Sequence, residues 1–183
     1  MSLFIAISLP ESIREKIFTT IQDQDISEDL WERKTDLHIT LLFLKNGNST
    51  LEYMESIKER LNQLSFSPFT LKIDGINFWT LKENNQILHL TVTPSKELIT
   101  LQSEIVSLFP EAPKSTHEFT PHISLIRSSK ITQSKVEDLK NRFSDFSTDA
   151  FSVDQVHLYI GERGKANEDN KRNRYRVVGS FSG

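Results

Sequence analysis

The chain has 183 residues, no cysteine and a formal net charge of −3, with 37% hydrophobic and 26% charged residues. This composition is typical of one globular domain, or of two small lobes that share a core. It excludes disulfide bonds and thiolate zinc sites, and it argues against binding to long tracts of nucleic acid. The apolar start breaks at Ser8 and Pro10, so it predicts a strand and not a signal peptide, and no stretch approaches a membrane span. We therefore expect a cytoplasmic location, and separately we expect a monomer.

The first half of the chain alternates strand and helix patterns. One helix is predicted to begin at Pro10, and a second at a capping box formed by Ser49 and Glu52. Their apolar faces consist of Ile13, Ile17 and Ile21, and of Leu51, Met54, Ile57, Leu61 and Leu64. The predicted strands are residues 1–8, 37–44, 69–80 and 86–93, the last two joined as a hairpin.

The second half repeats this order. A helix is predicted from Pro94, with Leu98, Leu101, Ile105 and Leu108 buried. Another is predicted from a cap formed by Ser134 and Glu137, with the apolar residues Val136, Leu139 and Phe143. The predicted strands are residues 119–127, 150–160 and 173–181. A motif strand, a capped helix and two further strands therefore occur in both 37–93 and 119–181, which indicates an internal duplication within an α+β fold.

Two short strings place a histidine two positions before a hydroxyl residue: His38 with Thr40, and His122 with Ser124. Side chains at positions i and i+2 of a strand point to the same face, so each string presents an imidazole beside a hydroxyl. Together they would supply two acid/base groups and two hydrogen-bond donors around one small space. This combination suits a phosphate diester in which one oxygen gains a proton while another loses one.

The other three histidines are not expected to take part in the chemistry. His89 with Thr91 satisfies the same bare pattern, but it lacks the residues that flank the other two copies. We assign His89 a structural or exposed role, place His117 in solvent, and expect a structural role for His157.

The flanks of the two motifs carry a family resemblance. Residues 37–44 match the pattern Leu-His-x-Thr-Leu-x-Phe-Leu, and residues 119–127 match Phe-x-Pro-His-x-Thr/Ser-Leu-x-Arg. Residues 3–11 are similar to the first strand and helix start of the same family. The chain thus resembles the 2H phosphoesterases, in particular the RNA 2′,3′-cyclic phosphodiesterases, also called 2′-5′ RNA ligases. It departs from them at Arg33, where proline is common, and at Ser124, where threonine is commoner. It also departs at residues 159–161, which lack the serine often found near there.

The resemblance implies a single domain spanning 1–183 and built from two pseudo-symmetric lobes. Each lobe would be an antiparallel sheet with helices on its outer side, and the active site would lie in the cleft between them. The implied catalysts are His38 and His122, with Thr40 and Ser124 donating hydrogen bonds to the phosphate, and neither a metal nor a cofactor is expected. The implied partners are RNA ends or small nucleotides that carry a 2′,3′-cyclic phosphate, hydrolysed to 2′-phosphates, with weak reversible 2′-5′ ligation.

Two further residues have two interpretations each. Strand alternation places Arg127, five residues after His122, on the opposite face, where it would form a surface salt bridge. The resemblance instead implies that Arg127 binds phosphate. Phe119 could stack on a base or belong to the core. Phe43 holds the position after His38 that Arg127 holds after His122.

Other functions remain open from the sequence. The same histidines could cleave 2′-5′ linked oligonucleotides or an ADP-ribose cyclic phosphate, and a nucleotide-binding module could have lost turnover. Intact His38 and His122 count against the last of these. A basic cluster near the C-terminus is interpreted as a solvated loop; it consists of Arg163, Lys165, Lys171, Arg172, Arg174 and Arg176.

Overall fold

The computed structural model describes residues 2–22, 25–46, 50–80, 85–115, 117–162 and 174–183. These residues form nine β-strands and four α-helices, which confirms the α+β class. The strands are β1 (Ser2–Ser8), β2 (His38–Asn46), β3 (Phe69–Leu71), β4 (Ile73–Thr80), β5 (Gln86–Val92), β6 (His122–Ser128), β7 (Phe151–Val153), β8 (Gln155–Glu162) and β9 (Arg174–Ser182). The helices are α1 (Glu11–Ile21), α2 (Leu51–Leu61), α3 (Lys96–Leu108) and α4 (Gln133–Arg142).

Two antiparallel sheets carry the motif strands at their edges. One sheet has the strand order β2-β1-β8-β9, the other has the order β4-β5-β6, and a short pair of strands, β3 and β7, forms a third sheet. The edge strands β2 and β6 contact each other, although they share no ladder of hydrogen bonds. The two motifs, which are far apart in the sequence, therefore meet where the two sheets meet.

The order of elements is repeated. Strand, helix, motif strand, helix and two strands occur as β1–β4 and again as β5–β8. The sheets exchange strands between these halves, because β8 joins β1 and β2 while β4 joins β5 and β6. The duplication expected in 37–93 and 119–181 begins at the motif strands. We propose that the repeating units instead begin one strand earlier, at 2–80 and 86–162.

The faces of β1 separate the core from the cleft. Leu3, Ile5 and Ile7 pack in the main hydrophobic core, together with the buried helix residues Ile13, Ile17 and Ile21. Phe4 and Ala6, which point the other way, form a small second cluster with Tyr159. Within the described ranges, every helix is too short or too polar to cross a membrane.

Two predicted strands are each split in the structure. The strand expected over 69–80 is interrupted at Lys72, and the one expected over 150–160 is interrupted at Asp154. Both of these charged residues are exposed. The short segments before them pair with each other as β3 and β7, so they tie the two halves of the chain together. Of the hairpin predicted for 69–80 with 86–93, residues 73–80 and 86–92 are paired, as β4 and β5.

Helix starts also differ from the predictions. Helix α2 is capped by Thr50, whose Oγ1 accepts a hydrogen bond from the amide of Tyr53 at 3.2 Å. Helix α4 is capped by Thr132, so Ser134 lies inside the first turn. Helix α3 is capped by Ser95 and begins at Lys96, later than the predicted start at Pro94. Ser49 lies outside the described residues.

Some apolar helix positions are less buried than expected. Leu51 is 78% exposed because it is the first residue of α2, before the turn that faces the core. Leu108 and Phe143 are only partly buried, at the ends of α3 and α4. The central positions Ile57, Leu61, Leu98, Leu101, Ile105, Val136 and Leu139 are buried as predicted.

The cap assignments predict a stability difference between two neighbouring hydroxyl residues. Thr132→Ala should lower the free energy of unfolding by about 1 kcal/mol, because the amide of Lys135 loses its acceptor. Ser134→Ala is the matched control and should change it by less than about 0.5 kcal/mol. Urea unfolding monitored by circular dichroism measures both. A larger loss for Ser134→Ala would contradict the assigned start of α4.

Candidate active site

Each motif histidine begins its strand and is held by its own backbone. The Nδ1 atom of His38 lies 2.6 Å from the carbonyl oxygen of Asp36, and that of His122 lies 2.8 Å from the carbonyl oxygen of Thr120. A carbonyl oxygen can only accept, so Nδ1 carries the hydrogen in both neutral rings. Nε2 is therefore the nitrogen of each ring that can take or deliver a proton.

A β-bulge in β2 decides which side chains share the face of the first motif. His38, Thr40 and Phe43 lie directly opposite Ser8, Ala6 and Phe4 of β1. Those three β1 residues alternate along a regular strand, so they and their partners point to one face. The β1–β2 register shifts twice, and Leu41 is the extra residue at the shift between the motif and Phe43, so its insertion turns Phe43 to the side of His38.

The same bulge occurs in β6. His122, Ser124 and Arg127 lie opposite Thr91, His89 and Ile87 of β5, and Leu125 is the extra residue. Arg127 therefore shares the face of His122 and is exposed there. The placement of Arg127 on the opposite face, predicted from simple alternation, is wrong because that count leaves out the bulge. The position of Arg127 agrees with the phosphate-binding interpretation.

The ring of His38 is enclosed by aromatic side chains. Its centroid lies 4.9 Å from that of Phe4, 5.6 Å from that of Tyr159 and 5.1 Å from that of Tyr175. The hydroxyl of Tyr159 is also hydrogen-bonded to that of Ser8 at 2.5 Å. This wall covers part of the imidazole and restricts the orientation of the ring.

The ring of His122 is enclosed by different residues. Trp79 lies 4.5 Å from it and His89 lies 5.5 Å from it, measured between ring centroids. His89 is 1% exposed, so the exposed alternative for this residue is wrong and the structural alternative agrees with its burial. Sequence reasoning missed that His89 contacts a motif histidine, because the pairing of β5 with β6 is not visible in local patterns.

Burial sets the protonation of the pair. It lowers the pKa of His38 to about 4; the hydrogen bond to the Asp36 carbonyl acts in the opposite sense, and the nearby charge of His122 lowers it further. Burial also lowers the pKa of His122, with the Thr120 carbonyl opposing and the charge of Arg127 adding to the shift. Both rings are therefore mainly neutral in the free protein near pH 7.

The arrangement can serve an anion that exchanges protons. The neutral rings of His38 and His122, the half-buried hydroxyls of Thr40 and Ser124, and the cation of Arg127 all lie on the two motif strands that meet at the cleft. Among the described residues there is no group of three or more His, Cys, Asp and Glu side chains that could hold a metal ion. The chemistry available to these residues is acid/base catalysis with hydrogen bonds to an oxyanion.

Phe43 is an exposed aromatic residue on the face of the first motif. It is 56% exposed, although it is a large apolar side chain, and its ring lies 5.6 Å from that of Phe4. Phe119 is partly buried and packs against the main hydrophobic core, which accounts for it without a ligand. The sequence signal for a role of Phe43 in the site was its position: Phe43 follows His38 at the same spacing at which Arg127 follows His122.

Most of the basic cluster, 163–173, lies outside the described residues.

Comparisons with known proteins agree with this geometry. The family model described as the 2′-5′ RNA ligase superfamily matches residues 9–165. The RNA 2′,3′-cyclic phosphodiesterase of Archaeoglobus fulgidus is 26% identical over 160 residues, which cover 86% of this chain and 89% of that protein. The protein of the same name from Methanocaldococcus jannaschii is 28% identical over 163 residues, which cover 87% of this chain and 90% of that protein.

Solved structures share the fold. The crystal structure of LigT from E. coli with 3′-AMP has a TM-score of 0.73 and 22% identity, and the alignment covers 99% of this chain and 97% of that one. TT0787 from Thermus thermophilus has a TM-score of 0.72 and 20% identity, with 100% of this chain and 97% of that one covered. These matches confirm the predicted two-lobed α+β fold.

The geometry predicts the tautomers and titration of the site imidazoles. His38 and His122 should show the Nδ1–H tautomer when neutral, because each Nδ1 donates to a carbonyl. His38 should titrate near pH 4, well below the ordinary value of about 6.5. Long-range ¹H–¹⁵N spectra across a pH series, assigned with single histidine substitutions, measure both. A neutral Nε2–H tautomer at either motif histidine, or titration of His38 near pH 6.5, would contradict the assigned environment.

Proposed function

The chain belongs to the 2′-5′ RNA ligase superfamily, and from this premise we propose that it is a metal-independent phosphodiesterase that hydrolyses the 2′,3′-cyclic phosphate ends of RNA to 2′-phosphates. The observation that carries the proposal is the meeting of two histidine–hydroxyl pairs on β2 and β6 beside Arg127. The archaeal relatives support it, since they are RNA 2′,3′-cyclic phosphodiesterases by name.

The proposed reaction needs one proton acceptor and one proton donor. A water oxygen attacks phosphorus, the bond from phosphorus to the ribose 3′ oxygen breaks, and the 2′ oxygen keeps the phosphate. One motif histidine takes the proton of the water at Nε2, and the other delivers a proton from Nε2 to the departing 3′ oxygen. The products are a 2′-phosphomonoester and a free 3′-hydroxyl. The Nδ1 hydrogen bonds to Asp36 and Thr120 leave Nε2 free for both transfers.

The remaining cleft groups would stabilise the phosphate. Thr40 and Ser124 share the faces of their histidines, so their hydroxyls can donate to the nonbridging oxygens, where negative charge increases in the transition state. Arg127 adds a cation on the side of the second motif. Phe43 takes the equivalent place on the first motif, so the cleft is charged on one side and apolar on the other.

The charge of the substrate completes the acid/base pair. Both imidazoles have lowered pKa values in the free protein. A bound phosphate monoanion favours the imidazolium form, so it raises these pKa values and allows one ring to hold a proton. The proton needed for the leaving oxygen is thus retained when substrate is present.

We also propose that Phe43, rather than Phe119, stacks on the base next to the cyclic phosphate. Phe43 is exposed on the face of the first motif, whereas Phe119 packs against the core. Weak reversible 2′-5′ ligation, a cytoplasmic location and a monomeric state stay predictions from the sequence.

Hydrolysis of adenosine 2′,3′-cyclic phosphate, with the product identified by ³¹P NMR, tests the proposed activity. His38→Ala and His122→Ala should each lower kcat by at least about a hundredfold, because each removes a general acid or base. Thr40→Ala and Ser124→Ala should lower kcat by a smaller factor, since each removes one hydrogen bond to the phosphate.

His117→Ala, at an exposed histidine, is the matched control and should keep full activity. Excess EDTA should leave the parent rate unchanged. A 3′-phosphate product, or activity that is lost in EDTA and restored by a divalent ion, would contradict the proposal.

Base stacking on Phe43 predicts a change in KM that depends on the base. Phe43→Ala should raise KM for adenosine 2′,3′-cyclic phosphate by at least about fivefold, because stacking on an aromatic ring contributes roughly 1–3 kcal/mol per base. Phe43→Tyr, which keeps the ring, is the matched variant and should preserve KM. Ribose 2′,3′-cyclic phosphate, which has no base, should show no difference between parent and Phe43→Ala. Equal losses on both substrates would show that Phe43 acts on something other than the base.

A further inference from the structure

Two rings outside the motifs contact His122. The register of β5 and β6 places Thr91 opposite His122 and His89 opposite Ser124, so His89 shares the face of the motif. Trp79 extends from β4 and stacks on His89, with ring centroids 3.9 Å apart. Both rings are nearly perpendicular to His122, at 78° for Trp79 and 73° for His89. His122 is therefore enclosed on the side of β4 and β5 by a stacked pair.

The other sheet builds its wall from different positions. Phe4 occupies the place in the register that Ile87 occupies in the second sheet, and Ala6 occupies the place of His89. The first motif histidine receives its nearest ring contact from Phe4, at 4.9 Å. Ile87 has no ring to offer, and His89 supplies one from the next position on the same face. In the second sheet, the imidazole of His89 thus provides a ring contact to the motif histidine, as Phe4 does in the first sheet.

A single hydrogen bond does not fix the ring of His122. The bond from Nδ1 to the carbonyl of Thr120 holds one nitrogen, but a ring held by this bond alone can tilt away from the carbonyl and open the bond. Close contacts with two perpendicular rings restrict that tilt, since aromatic pairs prefer such geometry. His89 is also suited to stand beside an imidazolium, because burial keeps its pKa at about 4 and so keeps it neutral near pH 7.

We propose that His89 and Trp79 are positioning residues for His122, and that His89 itself transfers no proton. The inference rests on the proposed phosphodiesterase activity for its kinetic test, and it adds to that activity two residues that lie outside the motif strands. It goes beyond the structural or exposed role that the sequence predicts for His89.

Ring-deleting and ring-keeping variants of His89 provide the kinetic test. His89→Ala should lower kcat on adenosine 2′,3′-cyclic phosphate by about tenfold, because a slightly misplaced catalytic group loses rate, while KM stays within about threefold. His89→Phe should return kcat to within about threefold of the parent. His117→Ala controls for loss of a histidine outside the site. Unchanged kcat in a folded His89→Ala would overturn the proposal, and so would failure of His89→Phe to rescue it.

A second measurement does not depend on activity. In ¹⁵N spectra near pH 7, His122 should show a single Nδ1–H tautomer in the parent and in His89→Phe, and a mixture of tautomers in His89→Ala. A single unchanged tautomer in His89→Ala would overturn the positioning role. This measurement needs no turnover. A parent protein without phosphodiesterase activity would contradict the proposed function, and the tautomers of His122 would still test the positioning role.

Trp79 offers the same comparison if His89→Ala does not fold, since Trp79 is only partly buried. Trp79→Leu should then reproduce the loss of kcat and the mixed tautomers, and Trp79→Phe should reverse both. Parent-like behaviour of a folded Trp79→Leu would contradict the proposal.

Discussion

Each motif strand must bury one face in the core and present the other to the cleft, and one inserted residue makes this possible in both. Leu41 in β2 and Leu125 in β6 have no partner across the ladder. After the insertion the apolar residues continue to pack in the core, while Phe43 and Arg127 turn toward the histidines. Without the bulge, the guanidinium of Arg127 would face the core, where an unpaired charge costs several kcal/mol.

The bulge and the aromatic walls together define an unusual electrostatic state. The cleft holds two neutral imidazoles in a poorly hydrated setting, with a cation on one side, before any substrate arrives. Such a site favours an anion, because a bound negative charge interacts favourably with the cation of Arg127 and with a protonated imidazole. Binding of the anion and retention of a proton on one of the imidazoles then occur together. A substrate that brought no negative charge would leave both histidines unprotonated near pH 7 and the leaving oxygen without its acid.

Local patterns in the sequence were sufficient for the motif residues and for most elements. The pairs His38 with Thr40 and His122 with Ser124 followed from the period of a strand, and the helix faces followed from apolar spacing. The side of Arg127 could not be predicted from strand alternation, because a bulge is set by which strand pairs with which. The contact of His89 with His122 depends on the same long-range register. Cap positions were wrong by one or two residues, because several neighbouring hydroxyl residues could each have served as the cap.

The central claim is that two histidines share the proton transfers and that substrate charge tunes them, and the pH dependence of the parent rate tests it most directly. Both kcat/KM and kcat for adenosine 2′,3′-cyclic phosphate should be bell-shaped, because one ring must be neutral and the other protonated. The kcat/KM profile reports the free enzyme, so its maximum should lie below pH 6.5, and the kcat maximum should lie at higher pH because bound phosphate raises both pKa values. A rate that rises without a maximum from pH 5 to 9, or a kcat profile displaced to lower pH than kcat/KM, would contradict this account.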